Sequence, residues 1–318
     1  MPASRLSGVR GGWTMPVTIR RKKEEMADDT TNQTPDTCSH NCGSCSASCG
    51  ERTAPSKLAP NSVSSFKKVI GVVSGKGGVG KTSVTCLLAS ELMRAGKKVG
   101  IMDADVTGPS IPKAFGAKGP LRADQNGLNP GIGAEGVKII STNLLLPQDD
   151  MPVAWRGPVV TGILTQFFNQ VNWGDLDYLL IDMPPGTSDT LLTVFQQMPL
   201  DGIVTVSAPQ ELVGMIVGKA VNLAQEMGVS VLGLVENMAY FECDECHKRH
   251  YIFGEPQGEE VAKKYSIPAY ATLPMDPAVA SLVDAGNIPD YDVKGALKPI
   301  IDALESLPEH AKGEEAAE

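Results

Sequence analysis

No stretch of this chain approaches the ~18 consecutive apolar residues that a membrane span needs, so a membrane is not an expected partner. The apolar core of a secretory signal is missing near the start. Cationic excess is missing as well: 28 Lys and Arg face 37 Asp and Glu, a formal charge of -9. That balance argues against a general affinity for nucleic acid. The one basic run, Arg20-Arg21-Lys22-Lys23, is followed directly by Glu24-Glu25. Aromatic residues are few, 5%, while apolar content is an ordinary 42%, so 318 residues suffice for one large α/β domain or two small ones. The acid-poor start with Arg5, Arg10 and Arg20 carries only a trace of an organellar transit peptide. A dispensable leader is the favoured reading, because Met15 and Met26 serve equally well as starts. A cytoplasmic location is the expectation, and clustered thiols there point to metal rather than disulfides.

What is present divides the chain in three. Residues 1–66 are rich in Ser, Thr, Asn, Pro and Lys without periodicity, which predicts a flexible arm. Residues 67–306 alternate short apolar runs with helical patterns, and residues 307–318 form an acidic tail expected to fray. Expected strands are Lys68–Val73, Lys98–Met102, Val137–Ile140, Tyr178–Ile181, Gly202–Ser207 and Val229–Val235. Expected helices are Thr82–Ala95, Val159–Val171, Glu211–Met227, Pro277–Asp284 and Val293–Ser306. The alternation predicts an α/β fold with a mostly parallel, doubly wound sheet.

Gly75-Lys76-Gly77-Gly78-Val79-Gly80-Lys81-Thr82 fits G-x-x-x-x-G-K-[ST] between an expected strand and an expected helix, the context that confirms a phosphate loop. Glycines let the loop wrap with its N–H groups inward, and the helix beginning there, through Thr82 and Ser83, adds its positive end. ATP with Mg²⁺ is the implied ligand: Lys81 reaches the terminal phosphates and Thr82 ligates the metal. Lys76 is an extra lysine that an ordinary phosphate loop does not need; it is either a solvated surface residue or a finger reaching a partner's nucleotide. Asp182 closes the run Tyr178-Leu-Leu-Ile and suits Mg²⁺, and Asp105, just past Asp103, suits the orienting of attacking water. The bland alternatives are a loop cap for Asp103 and a turn with Gly108-Pro109 for Asp105.

Lys76 within the loop, Asp103-Ala-Asp105 and Ile181-Asp-Met-Pro-Pro-Gly-Thr-Ser-Asp189 resemble the deviant Walker-A ATPases, the group of MinD, ParA and the nitrogenase iron protein. Trp155-Arg-Gly-Pro158 and the segment Glu236–Gly254 bring the resemblance closest to the Mrp/ApbC iron–sulfur cluster carriers, over about Ser65–Leu307. The resemblance implies a nucleotide-sandwich homodimer that hydrolyses ATP and delivers [4Fe–4S] clusters to apo client proteins. It implies that Lys76 crosses to the partner subunit, that Asp105 orients water, that Asp182 serves Mg²⁺ through water, and that Asn237 reads adenine beside Leu273–Pro277.

Seven cysteines remain to be placed. Cys243 and Cys246 form a C-x-x-C, half the ligands of one metal centre; a second copy of the chain would complete four. A bridging [4Fe–4S] cluster is the favoured reading, with zinc, a redox pair and two structural cysteines as alternatives. Cys38, Cys42, Cys45 and Cys49 lie within the arm, at a spacing that lets four thiolates enclose one [4Fe–4S] cluster, with zinc as the alternative. Cys86 lies on the apolar face of the helix after the loop and reads as core. Two rival functions stay open: a positioning ATPase of the MinD or ParA type, and a zinc-binding scaffold that uses ATP only for assembly.

Overall fold

A computed structural model of the chain describes residues 57–106, 108, 110–146, 157–186, 189–209 and 213–310. The arm cysteines Cys38, Cys42, Cys45 and Cys49, and Trp155-Arg156, lie outside the described residues.

The elements run in the order β1 (Ser65–Val73), α1 (Lys81–Arg94), β2 (Val99–Asp103), α2 (Ile111–Ala114), β3 (Ala123–Asp124), β4 (Gly127–Leu128), β5 (Gly131–Ile132), β6 (Lys138–Ile140), α3 (Gly157–Asn169), β7 (Asp175–Asp182), α4 (Asp189–Gln197), β8 (Gly202–Ser207), α5 (Val213–Glu226), β9 (Val231–Glu236), β10 (Phe241–Glu242), β11 (Arg249–His250), α6 (Gly258–Lys264), β12 (Ala269–Thr272), α7 (Pro277–Ala285) and α8 (Lys298–Glu305). Eight strands form one sheet in the order β12-β9-β8-β1-β7-β2-β6-β5, parallel throughout except where β5 meets β6.

The strand period of two puts apolar groups on both faces of this sheet. Ile70, Val72, Leu180 and Ile101 pack with α1 and α8 on one face. Val69, Val73, Leu179 and Ile181 pack with Phe168, Trp173 and Phe195 on the other. Core aromatics are few, but Trp173 is fully buried and its indole N–H donates to the Phe167 carbonyl at 3.0 Å, so its polar end is satisfied. In α1 the buried positions Val84, Leu87, Leu88 and Leu92 keep helical spacing, and Gly96 leaves the helix at φ 78°.

Two sequence expectations need correction. The helix expected over Val293–Ser306 begins only at Lys298, because Lys294 and Gly295 adopt positive φ of 51° and 73° and turn the chain first. The start of the tail is docked rather than frayed: the His310 N–H donates to the Lys67 carbonyl at 3.1 Å, and its imidazole lies 2.6 Å from Asp201.

The parallel order brings four chemistry-bearing positions to the carboxyl ends of neighbouring strands. The phosphate loop follows β1, Asp103 ends β2, Asp182 ends β7 and Glu236 ends β9. This edge is where open α/β sheets hold ligands.

Candidate functional site

The loop Gly75–Gly80 leaves β1 and feeds α1 directly, with Gly80 as the N-cap at φ 78° and Gly78 at φ 80°. Both conformations favour glycine. A Cβ on Gly78 would meet nothing within 4 Å, so the cradle is open there; one on Gly75 would press on Ile216 of α5 at 2.4 Å. Lys76, Gly77 and Gly78 are exposed, whereas Val79 is buried and its carbonyl accepts from the Asn237 amide at 3.0 Å.

Beneath the cradle lies a buried charge cluster. The Lys81 ammonium is 2.8 Å from Asp182 and 3.8 Å from Asp105. The hydroxyls of Thr82 and Thr85 donate to opposite oxygens of the Asp182 carboxylate, each at 2.7 Å. The Lys81–Asp182 contact is a buried ion pair whose geometry falls short of an aligned hydrogen bond. Asp103 pairs with Asp182 across β2 and β7. Burial, and then the charge of Asp182, push the Asp103 carboxyl well above the usual carboxylate range; the Ser141 hydroxyl, donating at 3.0 Å, pulls the other way. β2 ends at Asp103, so Asp105 reaches Lys81 from the loop; its own N–H donates to Asp103 at 3.2 Å. The segment after β7 is tied to the loop, because the Gly186 N–H donates to the Ser74 carbonyl at 3.0 Å.

This arrangement fits a nucleotide phosphate and a hard cation. The floor is open N–H-bearing backbone, a helix begins there, and a buried lysine is held only by carboxylates that a phosphate can replace. Thr82 and Asp182 offer oxygen donors in contact with one another, the sparse protein set that Mg²⁺ accepts beside phosphate and water. A cleft of about 450 Å³ continues from the loop, lined by Ser83, Leu87, Asn237, Leu273, Met275 and Val283. Ser83, expected with the phosphates, faces this mostly apolar cleft, and the expected Leu273–Pro277 segment forms one wall of it.

The thiol pair stands apart. Cys243 and Cys246 sit in the turn of the hairpin β10–β11, Cys246 exposed and Cys243 half exposed. His247 takes φ 53°, and its N–H donates to the Cys243 carbonyl at 2.9 Å. The N–H groups of Cys246 and then Glu245 hold the Cys243 thiol below its ordinary range. Among the described residues no group of three or more His, Cys, Asp and Glu comes together to hold a metal, so one copy of the hairpin offers two thiols only. Cys86 is core, as expected, its thiol pushed well up by burial.

Sequence reasoning missed Thr85, although it lies three residues after Thr82 and so on the same helix face. It also missed the partners of Glu236. That buried carboxylate accepts from the N–H groups of Gln257 at 3.2 Å and Gly258 at 2.8 Å, and from the Tyr270 hydroxyl at 2.6 Å. Among the described residues no helix is long and apolar enough to cross a membrane.

Comparison with known proteins agrees with this geometry. The family described as ParA, NUBPL iron-transfer P-loop NTPase, matches residues 65–305. An iron-sulfur cluster carrier protein of Clostridium perfringens is 46% identical over 258 residues, 78% of this chain and 90% of that protein. One of Saccharolobus solfataricus is 46% identical over 227 residues, 71% of this chain and 77% of its own length. Among solved structures, the nucleotide-binding protein of Archaeoglobus fulgidus in complex with ADP superposes with a TM-score of 0.68 at 42% identity, over 77% of this chain and 95% of that one. The cell division ATPase MinD of Pyrococcus furiosus, at 21% identity and TM-score 0.51 over 75% of this chain and 97% of that one, shares the fold alone. With the match spanning the loop, the buried charge cluster and the thiol hairpin together, the chain belongs to the iron-transfer P-loop NTPases of the ParA/NUBPL family.

Proposed function

We propose that this chain is an ATP-hydrolysing carrier of iron–sulfur clusters that works as a homodimer in the reducing cytoplasm. It holds a [4Fe–4S] cluster as cargo between Cys243 and Cys246 of two copies and passes it to apo iron–sulfur proteins. The observation that carries this reading is the hairpin: two thiols displayed outside the sheet, one of them biased toward thiolate by backbone N–H groups, with half the ligands that a cubane needs. A second copy supplies the other half at no cost in sequence. The cysteines Cys38, Cys42, Cys45 and Cys49 are assigned a second cluster of the same type.

In the nucleotide site the chain's own groups have separate tasks. The backbone of Gly75–Gly80 and the ammonium of Lys81 bind and orient phosphate, Lys76 reaches the partner's nucleotide, and Asn237 reads the base. Asp105 positions the attacking water, while Thr82 and Asp182 hold Mg²⁺, the latter through water. Mg²⁺ supplies charge neutralisation at the transferred phosphoryl group.

Anaerobic reconstitution with iron and sulfide tests the reading. The Cys243→Ser/Cys246→Ser double variant is expected to lose about a third of the labile iron, the share of one bridging cluster beside two arm clusters. It is also expected to lose delivery to an apoprotein, and Lys81→Ala to lose ATP hydrolysis. Undiminished iron and delivery in the double variant, or zinc in place of iron at these thiols, overturns it.

A further inference from the structure

Five residues separate Asn237 in the cleft from Cys243 in the thiol turn. They are clamped. The Asn237 N–H donates to Ser207 at 2.8 Å, the Ala239 N–H to Leu273 at 2.9 Å, and the Met275 N–H to the Tyr240 carbonyl at 2.7 Å. The last two bonds sew this segment to the Leu273–Met275 wall of the cleft. Met238, between the Asn237 and Ala239 bonds, takes φ 55°, a conformation that surrounding structure must enforce.

The hairpin continues the same body. The Arg249 guanidinium stacks over the Tyr240 ring, 4.1 Å from its centroid, and its Nε lies 3.6 Å from the Glu242 carboxylate. Glu242 and Arg249 are cross-strand partners, and the Cys243 N–H donates to the Lys248 carbonyl at 3.1 Å to close the turn. The far end of the excursion returns to where it began, because Glu236, beside Asn237, accepts from Gln257 and Gly258. Both feet of the thiol-bearing segment therefore stand on one buried carboxylate at the end of β9.

We infer that Arg249 is a positioning residue that couples the base cleft to the thiol pair. By joining Tyr240, whose carbonyl is bonded to the cleft wall, to Glu242, which precedes Cys243, it makes wall and hairpin move together. A base in the cleft orders the thiols within the same subunit, and phosphates in the cradle alone do not. The inference rests on the nucleotide reading above and deepens it: nucleoside occupancy is the signal and the posture of Cys243 and Cys246 is the output. Stacked guanidinium contacts of this kind stabilise modestly in isolation, so the brace transmits order without freezing the hairpin.

Hydrogen exchange on the full-length protein reads the coupling directly. Saturating ADP is expected to slow exchange of the amides at 241–250 by about fivefold or more, and pyrophosphate with Mg²⁺ to leave them unchanged. Arg249→Met keeps an aliphatic stem without the charge. It is expected to bind ADP like the wild type by calorimetry while the hairpin no longer responds. Tyr240→Phe retains the ring and the response; Tyr240→Leu loses it. Equal protection by pyrophosphate, or an Arg249→Met hairpin that responds as the wild type does, overturns the coupling. Absence of ADP binding to the wild type overturns the nucleotide reading, whereas ADP binding with a silent hairpin overturns the coupling alone.

Discussion

The hydroxyl of Thr85 donates to Asp182 across 97 residues of sequence, at 2.7 Å and out of reach of solvent. Thr82 holds the other oxygen of the same carboxylate. The pair fixes the carboxylate plane at the end of β7 before any ligand arrives. Thr85→Val keeps the shape and removes the donor, leaving one buried carboxylate oxygen without its hydrogen bond. The expected cost is about 1–3 kcal/mol in a denaturant titration. A weakened Mg²⁺ dependence of nucleotide binding is expected with it, because the freed carboxylate rotates. Thr85→Ser, which retains the donor, is expected to restore both; a valine variant with unaltered midpoint and Mg²⁺ response contradicts the role.

Gly80 joins the phosphate loop to the base cleft. Its φ of 78° disfavours any side chain, and a Cβ there would come within 2.3 Å of the Asn237 amide nitrogen. Gly80→Ala therefore carries about 1–2 kcal/mol of backbone strain and also displaces Asn237 from the Val79 carbonyl. Affinity for ADP is expected to fall more than affinity for pyrophosphate, since the displaced group belongs to the cleft. Calorimetry with both ligands distinguishes this from general collapse of the loop, which would weaken the two alike.

The uneven legibility of this chain has a physical pattern. β1, the phosphate loop and α1 were readable because an apolar run, fixed glycines and helical spacing are all local. Helices α4 and α6 and strand β12 were not anticipated; they are nine residues or fewer, too short for a periodic pattern to stand out. The thiol motif was plain, but its hairpin was not. Two residues per strand show no alternation, and the pairing is completed by Arg249 lying on Tyr240. Lys68 opens an expected strand in sequence. In the fold it is 4% exposed and donates to the Leu304 and Glu305 carbonyls at the end of α8. Nothing near Lys68 in sequence announces a partner 236 residues away.

Those carbonyls lead into the docked start of the tail, where Asp201 accepts from the Val69 N–H at 2.7 Å and faces His310 at 2.6 Å. Burial is the largest influence on this carboxyl and raises it; the Val69 N–H and His310 lower it without offsetting the burial. The folded protein thus binds this proton more tightly than the unfolded chain does. From about pH 4, the ordinary carboxylate value, up through the raised value, this group's contribution to stability falls as pH rises. Asp201→Asn keeps an acceptor for Val69 and removes the titration. The wild type's advantage over the variant is therefore expected to be greatest in acid and to shrink toward neutrality, as read from urea midpoints across that range. An advantage that instead grows with pH would mean that the charge pair with His310, and not burial, governs how the tail is held.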